Sequence, residues 1–176
     1  MNFIKRTGIR SAVLSIFFTS CALGQIEEQQ TTPNVSGERY QSTPAAAPIQ
    51  AKVIYYRTGN EMKKELATNV YVDGHFHTTL MPGSYTLFCI PPGEHFLGAY
   101  QHDAPLYRGK AEDSHRMRLE AGKTYFLKVP DDASGIPVEV DPDEAKLSLE
   151  SAHEQKRFVS RAPIQPCATQ QPNKVP

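Results

Sequence analysis

The sequence predicts an all-β protein: a small antiparallel β-sandwich with one short C-terminal helix. Three observations lead to this prediction. Between residues 51 and 140, apolar and polar residues alternate in short runs rich in Val, Ile, Tyr and Phe, as they do in half-buried strands. Pro and Gly turns interrupt these runs about every ten residues, a spacing typical of sandwiches. Residues that favour a helix start appear once, after the last of these runs.

The strongest local pattern is a hairpin at residues 69–80. Two alternating apolar runs flank Asp73 and Gly74, a dipeptide that tolerates the positive φ angles of a tight turn. The other predicted strands are short runs bounded by turn residues, at residues 51–57, 84–90, 94–101, 115–120, 124–129 and 136–140. A helix is predicted near residues 142–154, because Asp141 can cap its N-terminus and Pro142 suits its first position.

The first 24 residues have the layout of a secretory signal peptide. A basic start without acids precedes an apolar run at residues 12–18 and then small residues, and no second hydrophobic segment follows. Ala22 and Gly24 fit cleavage before Gln25. The alternative is a lipoprotein, because the residues ending in Cys21 resemble an acylation site, although Phe18 stands where an aliphatic residue is usual. Acylation of Cys21 would anchor the protein to a membrane.

The remaining chain divides into three segments. Residues 25–50 are rich in Gln, Thr, Pro, Ser and Ala, so we expect a flexible tether there. Residues 51–160 form the predicted sandwich domain with its helix. Residues 161–176 form a Pro-rich tail that contains Cys167.

The charge balance argues against a nucleic-acid-binding protein. The chain has 19 basic and 19 acidic residues. Without residues 1–24, which hold three basic residues and no acid, 16 basic residues face 19 acidic ones, a net charge near −3. A nucleic-acid interface needs a clustered basic surface. There is no polybasic segment for anionic lipids either.

Cys89 and Cys167 are the two cysteines that remain after the signal peptide. In an oxidising compartment such a pair is expected to form a disulfide, which would hold the Pro-rich tail against the sheet. The alternative is a buried, free Cys89 with Cys167 exposed or bonded to another protein. We expect no catalytic role for Cys89, because its apolar neighbours raise the pKa of a thiol.

Two short motifs resemble a known family. The sequence Val-Tyr-Val-Asp-Gly at residues 70–74 opens a hairpin, and Pro-Pro-Gly-Glu-His follows at residues 91–95. This pattern resembles PEGA-type domains, small β-sandwiches of the bacterial envelope. The resemblance covers residues 52–129. It implies a fold and a compartment, and it carries no catalytic residues. The cysteine in the sheet and the long C-terminal extension depart from the usual pattern.

The histidines raise a metal-site hypothesis. His75 and His77 are two apart on a predicted strand and should share a face, and His95, His102 and His115 lie on neighbouring elements. No motif with dedicated ligand spacing accompanies them. We therefore expect no metal site and no cofactor. The nucleophile, zinc-protease and phosphate-loop motifs of enzymes are missing too, so we expect a protein that is not an enzyme.

Aromatic residues indicate a docking surface. Tyr55 and Tyr56 alternate, so we expect part of the aromatic surface to remain outside the core. The predicted surface consists of the loop at residues 101–108 and the residue before it. The candidate docking residues are Tyr100, His102, Asp103, Tyr107 and Arg108. The expected function is that of a non-enzymatic accessory subunit that docks on a larger bacterial envelope assembly. Its expected location is the periplasm, and association with the outer membrane is left open. The alternative is a module that binds carbohydrate or peptidoglycan.

Overall fold

The computed structural model describes residues 36–59, 67–101, 115–130, 134–156 and 159–168. These residues form ten strands and one helix in the order β1 Ser36–Arg39, β2 Ala51–Tyr56, β3 Thr68–Val72, β4 His75–Leu80, β5 Ser84–Ile90, β6 Gly93–Tyr100, β7 Arg116–Leu119, β8 Thr124–Lys128, β9 Val138–Val140, α1 Pro142–Leu149 and β10 His153–Gln155. The prediction of an all-β protein with one short helix is confirmed.

The strands form two sheets. The six-stranded sheet has the order β1-β10-β5-β2-β8-β9, and the four-stranded sheet has the order β4-β3-β6-β7. Most neighbours are antiparallel, as predicted, but β2 pairs with β8 and β5 pairs with β10 in parallel. These parallel pairs arise because the chain leaves the six-stranded sheet and returns to it later. The antiparallel prediction considered only consecutive strands.

The main core joins the inner faces of the two sheets. Val53 and Tyr55 of β2 belong to one buried cluster with Val70 of β3 and Leu97 of β6. The remaining buried members are Ala51, Val72, Leu80, Phe88, Ile90, Ala99, Leu119, Tyr125, Leu127 and Val129. Side chains at alternate positions of each strand therefore meet in the space between the sheets, which is the arrangement of a sandwich.

A second cluster covers the other face of the six-stranded sheet. Ile54 and Tyr56 of β2 pack there with Ala145 and Leu149 of α1. Because β2 lies in the middle of its sheet and both faces are covered, every residue of β2 is buried. Tyr55 and Tyr56 do lie on opposite faces, but both are buried. The expectation that this pair leaves aromatic surface outside is wrong.

Helix α1 begins as predicted and ends earlier than predicted. The Asp141 side chain accepts a hydrogen bond from the Asp143 N–H at 2.9 Å and so caps the N-terminus. The helix ends at Leu149, not at residue 154. Residues His153–Gln155 form β10 instead, between β1 and β5. Pairing with a strand on each side competes with continuation of a helix that has only a weak apolar stripe.

The predicted tether is wrong for its last part. Residues Ser36–Arg39 form β1, and the Tyr40 N–H donates to the Ala152 carbonyl at 2.9 Å. Further along, the Lys52 ammonium donates to the Pro44 carbonyl. Residues 46 and 47 are buried. Residues 1–35, with the predicted signal peptide, the candidate lipidation residue Cys21 and the rest of the predicted tether, lie outside the described residues.

The predicted hairpin between β3 and β4 is confirmed. Asp73 has a φ of 50° and Gly74 has a φ of 75°. A two-residue type I′ turn requires positive φ at both central positions, and Asp73 is the only non-glycine residue of the described chain with a positive φ.

Candidate functional site

One residue of the docking surface predicted from the sequence, Tyr100, does not lie at the surface. Tyr100 is buried, and its hydroxyl lies 3.4 Å from the ring nitrogens of buried His115. The segment around Gly135 covers it, because the Gly135 carbonyl accepts a hydrogen bond from the Ala99 N–H at 2.9 Å. A Cβ at position 135 would lie 2.4 Å from the Tyr100 ring, and the φ of Gly135 is +81°. A glycine is therefore required there.

The other predicted docking residues belong to the loop predicted at residues 101–108. His102, Asp103, Tyr107 and Arg108 lie outside the described residues. The role of this loop remains a prediction.

The two histidines of β4 do not share a face. His75 is exposed, whereas His77 is fully buried. The register between β3 and β4 shifts beside His77, so this strand contains a bulge. A bulge breaks the simple alternation on which the prediction relied. In the part of the chain that the structure describes, no three His, Cys, Asp or Glu side chains form a group that could hold a metal ion.

Asp73 and His95 form a polar contact that joins the β3–β4 turn to β6. The His95 Nδ1–H donates to Asp73 Oδ2 at 2.9 Å, and the His95 Nε2–H donates to the Pro91 carbonyl at 2.9 Å. The Phe96 N–H donates to Asp73 Oδ1 at 2.9 Å. We call Asp73 and His95 the turn staple. Both residues belong to the two short motifs at 70–74 and 91–95, so the staple gives these motifs a structural role.

The turn staple favours the charged form of both side chains. Burial by itself would raise the pKa of Asp73, but hydrogen bonds from His95 and from the Phe96 N–H bring that pKa below its usual value. The hydrogen bond to Asp73 raises the pKa of His95 above its usual value, against the effect of burial. Each ring nitrogen of His95 faces an acceptor, and only the imidazolium can donate from both.

The predicted disulfide is present. Cys89 and Cys167 are bonded, with their Cα atoms 4.9 Å apart. Gln165 exchanges two backbone hydrogen bonds with Cys89, at 2.8 and 3.2 Å. We call residues 159–168 the C-terminal strap. The predicted Pro-rich tail is thus held against β5 as far as residue 168, and residues 169–176 lie outside the described residues.

The strap also crosses to the other sheet. The Arg161 N–H donates to the Phe76 carbonyl of β4 at 2.8 Å. Ser160 Oγ lies 3.1 Å from His77 Nδ1, and His77 Nε2 lies 3.0 Å from Thr86 Oγ1 of β5. Buried His77 therefore links the strap to both sheets.

A groove lies beside β4, where this strand forms the edge of its sheet. Its volume is about 380 Å³, and the residues that line it are Phe76, Thr78, Thr79, Met81, Gln155, Lys156 and Val159. We call it the β4 groove. Met81 and Val159 are 38% and 64% exposed, which makes them two of the few large apolar side chains exposed in the described part of the chain.

Two other cavities differ from the β4 groove. One of about 350 Å³ lies where the strap meets β5, and it is lined by Leu87, Phe88, Glu154 and strap residues. The other, of about 500 Å³, lies between the β5–β6 and β7–β8 turns and has a more polar lining. The β4 groove combines apolar lining, exposed apolar rims and a strand edge. These are the features of a surface that binds another chain.

Sequence reasoning missed this groove. Residues 78 and 79 belong to a predicted strand, but nothing local shows that this strand lies at an edge. Val159 is distant in sequence and reaches β4 through the strap. The apolar pair Phe158-Val159, between Arg157 and Ser160, was the only local signal.

No helix within the described residues is both long and apolar enough to span a membrane. The disulfide is compatible with an exported protein. Comparisons with family models, with curated proteins and with solved structures find no match to this chain. The resemblance to PEGA-type domains therefore remains a prediction that rests on the two short motifs.

Proposed function

We propose that this chain is a non-enzymatic, exported accessory subunit that docks on a larger protein assembly of a bacterial envelope. Its proposed location is the periplasm, and the proposal holds for a free or a lipid-anchored N-terminus. The observation that carries it is the β4 groove, an apolar depression with exposed Met81 and Val159 at its rim. Exposed apolar side chains grouped around a groove indicate a site for another macromolecule.

The chemistry of the polar groups supports the same proposal. Asp73 and His95, which have shifted pKa values, use their polar atoms to hold a turn. His77 uses both ring nitrogens to join the strap to the sheets. These are structural roles, so the proposed activity is binding.

The glycan-binding alternative has less support. A sugar-stacking platform needs exposed aromatic rings. The large apolar side chains that are exposed in the described residues are aliphatic: Ile49, Met81, Ile136, Val138, Leu147 and Val159. Binding to cell wall is therefore an alternative outcome of the test below.

The test is photo-crosslinking in the native envelope. A photoreactive amino acid is placed at Val159 in the groove rim and, as a matched control, at Leu147 on α1, which is exposed to a similar extent at 70%. A third position, Tyr107, tests the loop predicted from the sequence. We expect one discrete protein adduct from Val159 and none from Leu147.

Two results would contradict the proposal. Failure of all three positions to give a protein adduct would remove the docking function. Retention of the purified protein on isolated cell wall, without any protein adduct, would favour the glycan-binding alternative.

A further inference from the structure

We infer that the β4 groove receives an extended segment of a partner protein, with an apolar side chain in the groove and an acidic side chain next to it. This inference rests on the proposed docking function and names the chemistry of the partner. Strand edge, apolar lining and local charge each support it.

The strand edge offers backbone groups to an extended segment. β4 is the outermost strand of the four-stranded sheet. The strap contacts it through the hydrogen bond from the Arg161 N–H to the Phe76 carbonyl. Beyond that contact, Thr78 and Thr79 line the open groove. An edge strand can accept a further strand from another chain, whose backbone then supplies much of the affinity.

The groove has the size and lining for an apolar side chain. Its volume of about 380 Å³ lies in the range of small binding pockets. Phe76 forms part of the wall, and Met81 and Val159 stand at the rim with 38% and 64% exposure. Alternate side chains of an added strand point to the same side, so one apolar side chain can enter while its neighbours point away.

The positive charge beside the groove favours an acidic side chain next to the apolar one in the partner segment. Lys156 lines the groove, and Arg161, which is exposed, donates its backbone N–H to the carbonyl of Phe76 in the groove wall. Neither side chain has an ion-pair partner in the described ranges, and no acidic side chain lines the groove.

Two other exposed cations of the described residues are paired. Lys123 contacts Glu120 at 2.8 Å and Lys146 contacts Asp143 at 3.0 Å. Lys156 therefore places a positive charge, unpaired among the described residues, at the groove of a chain whose proposed mature form is slightly acidic. A carboxylate on the partner would complement this charge.

The test uses a displayed library of random nine-residue peptides and the purified, disulfide-bonded protein. We expect enriched peptides to share an apolar residue with Asp or Glu within two positions, and to contain no Pro in that stretch. Lys156→Glu should weaken binding of an enriched peptide about tenfold, a typical effect of reversing one charge at an interface. Lys146→Glu, on α1, is the matched control and should leave binding unchanged.

The backbone contribution is tested on a synthetic copy of an enriched peptide. Methylation of alternate backbone nitrogens should abolish binding when the methylated set is the one that faces β4, and should be tolerated for the other set. Equal tolerance of both sets would overturn strand addition. Enrichment of basic peptides, or of peptides that bind Lys156→Glu equally well, would overturn the assigned partner chemistry.

The failure of this inference can be told apart from failure of the proposed function. An envelope protein crosslinked at Val159, with no acidic and apolar peptide enriched, would leave the docking function standing and overturn this inference. Peptide binding without any envelope adduct would overturn the proposed docking function and leave this inference standing. Analytical sedimentation of the protein alone tests one other possible occupant of the groove, a second copy of this chain. A concentration-dependent rise in mass that Lys156→Glu abolishes would place that copy in the groove and overturn the inference.

Discussion

The turn staple allows a quantitative test of how the two short motifs stabilise the fold. The substitution Asp73→Asn keeps a side chain that tolerates positive φ and keeps Oδ1 as acceptor for the Phe96 N–H. It removes the charge that faces His95. Hydrogen bonds to charged groups contribute about 1.5–3 kcal/mol. The Asp73 side chain is 28% exposed, so we expect a loss at the lower end, about 1.5 kcal/mol of unfolding free energy at pH 6.

The pH dependence has a definite sign. The pKa of His95 is raised above 6.5, so its contribution is complete below pH 6.5 and is lost as the pH rises through the higher pKa of the folded state. The pKa of Asp73 is lowered below 3.8, so its contribution is complete above pH 3.8 and is lost as the pH falls through the lower pKa of the folded state. The staple therefore stabilises the fold most between pH 3.8 and 6.5.

The assay is urea unfolding of the wild type and of Asp73→Asn at pH 6 and pH 9, followed by far-UV circular dichroism with the disulfide intact. We expect the difference between the two proteins to shrink at pH 9, because neutral His95 can no longer donate to both Asp73 and Pro91. Glu94→Gln is the control, since its ion pair with Arg116 is exposed and should contribute about 0.5 kcal/mol or less at either pH. A difference that is equal at both pH values would refute the reasoning.

Three further predictions use the same kind of measurement. Replacing both Cys89 and Cys167 by Ala should lower the unfolding free energy by about 4.5 kcal/mol, because the loop spans 78 residues and its closure entropy is lost; a loss below about 1 kcal/mol would contradict this explanation. Leu149→Ala, at a fully buried position of α1, should cost about 2–5 kcal/mol in a urea titration, whereas Leu147→Ala, at a 70% exposed position, should have little effect. In a spectrophotometric titration of the tyrosines, one with a pKa of about 12 should disappear in Tyr85→Phe, because burial and then nearby Glu154 raise the pKa of Tyr85; an unchanged titration curve would contradict the assignment.

Local sequence patterns predicted the strands well because each depends on neighbouring residues. The alternation in residues 84–90 placed Tyr85 and Phe88 on opposite faces, and the structure assigns them to the two different core clusters. The dipeptide Asp73-Gly74 predicted its turn because few residues tolerate positive φ.

The errors arise where long-range pairing decides. Residues His153–Gln155 continue a helical pattern in sequence, but in the structure they pair with β1 and β5. Ser36–Arg39 has the composition of a tether and becomes a strand because β10 is its neighbour. Tyr100 was expected at the surface, but the distant segment around Gly135 covers it. None of these partners can be identified from the residues next to them.

The features of the candidate site also divide into those that local sequence predicts and those that long-range contacts decide. The disulfide could be predicted, because two cysteines remained and the predicted compartment favours oxidation. The β4 groove could not, because it requires knowing that β4 is an edge strand and that Val159 returns to it. The staple was half predicted: Asp73 was assigned to its turn, but its contact with His95 depends on how β6 lies beside β3.

The disulfide also makes most of the domain a covalent ring. Residues 89–167 are closed on themselves by the Cys89–Cys167 bond, and this ring contains five of the ten strands together with α1. A protease that cuts one peptide bond anywhere in the ring, for example between Tyr100 and His115, leaves both pieces joined. The nicked molecule would keep its mass under non-reducing conditions and would split only after reduction. A protein built this way tolerates a single cleavage without losing a fragment.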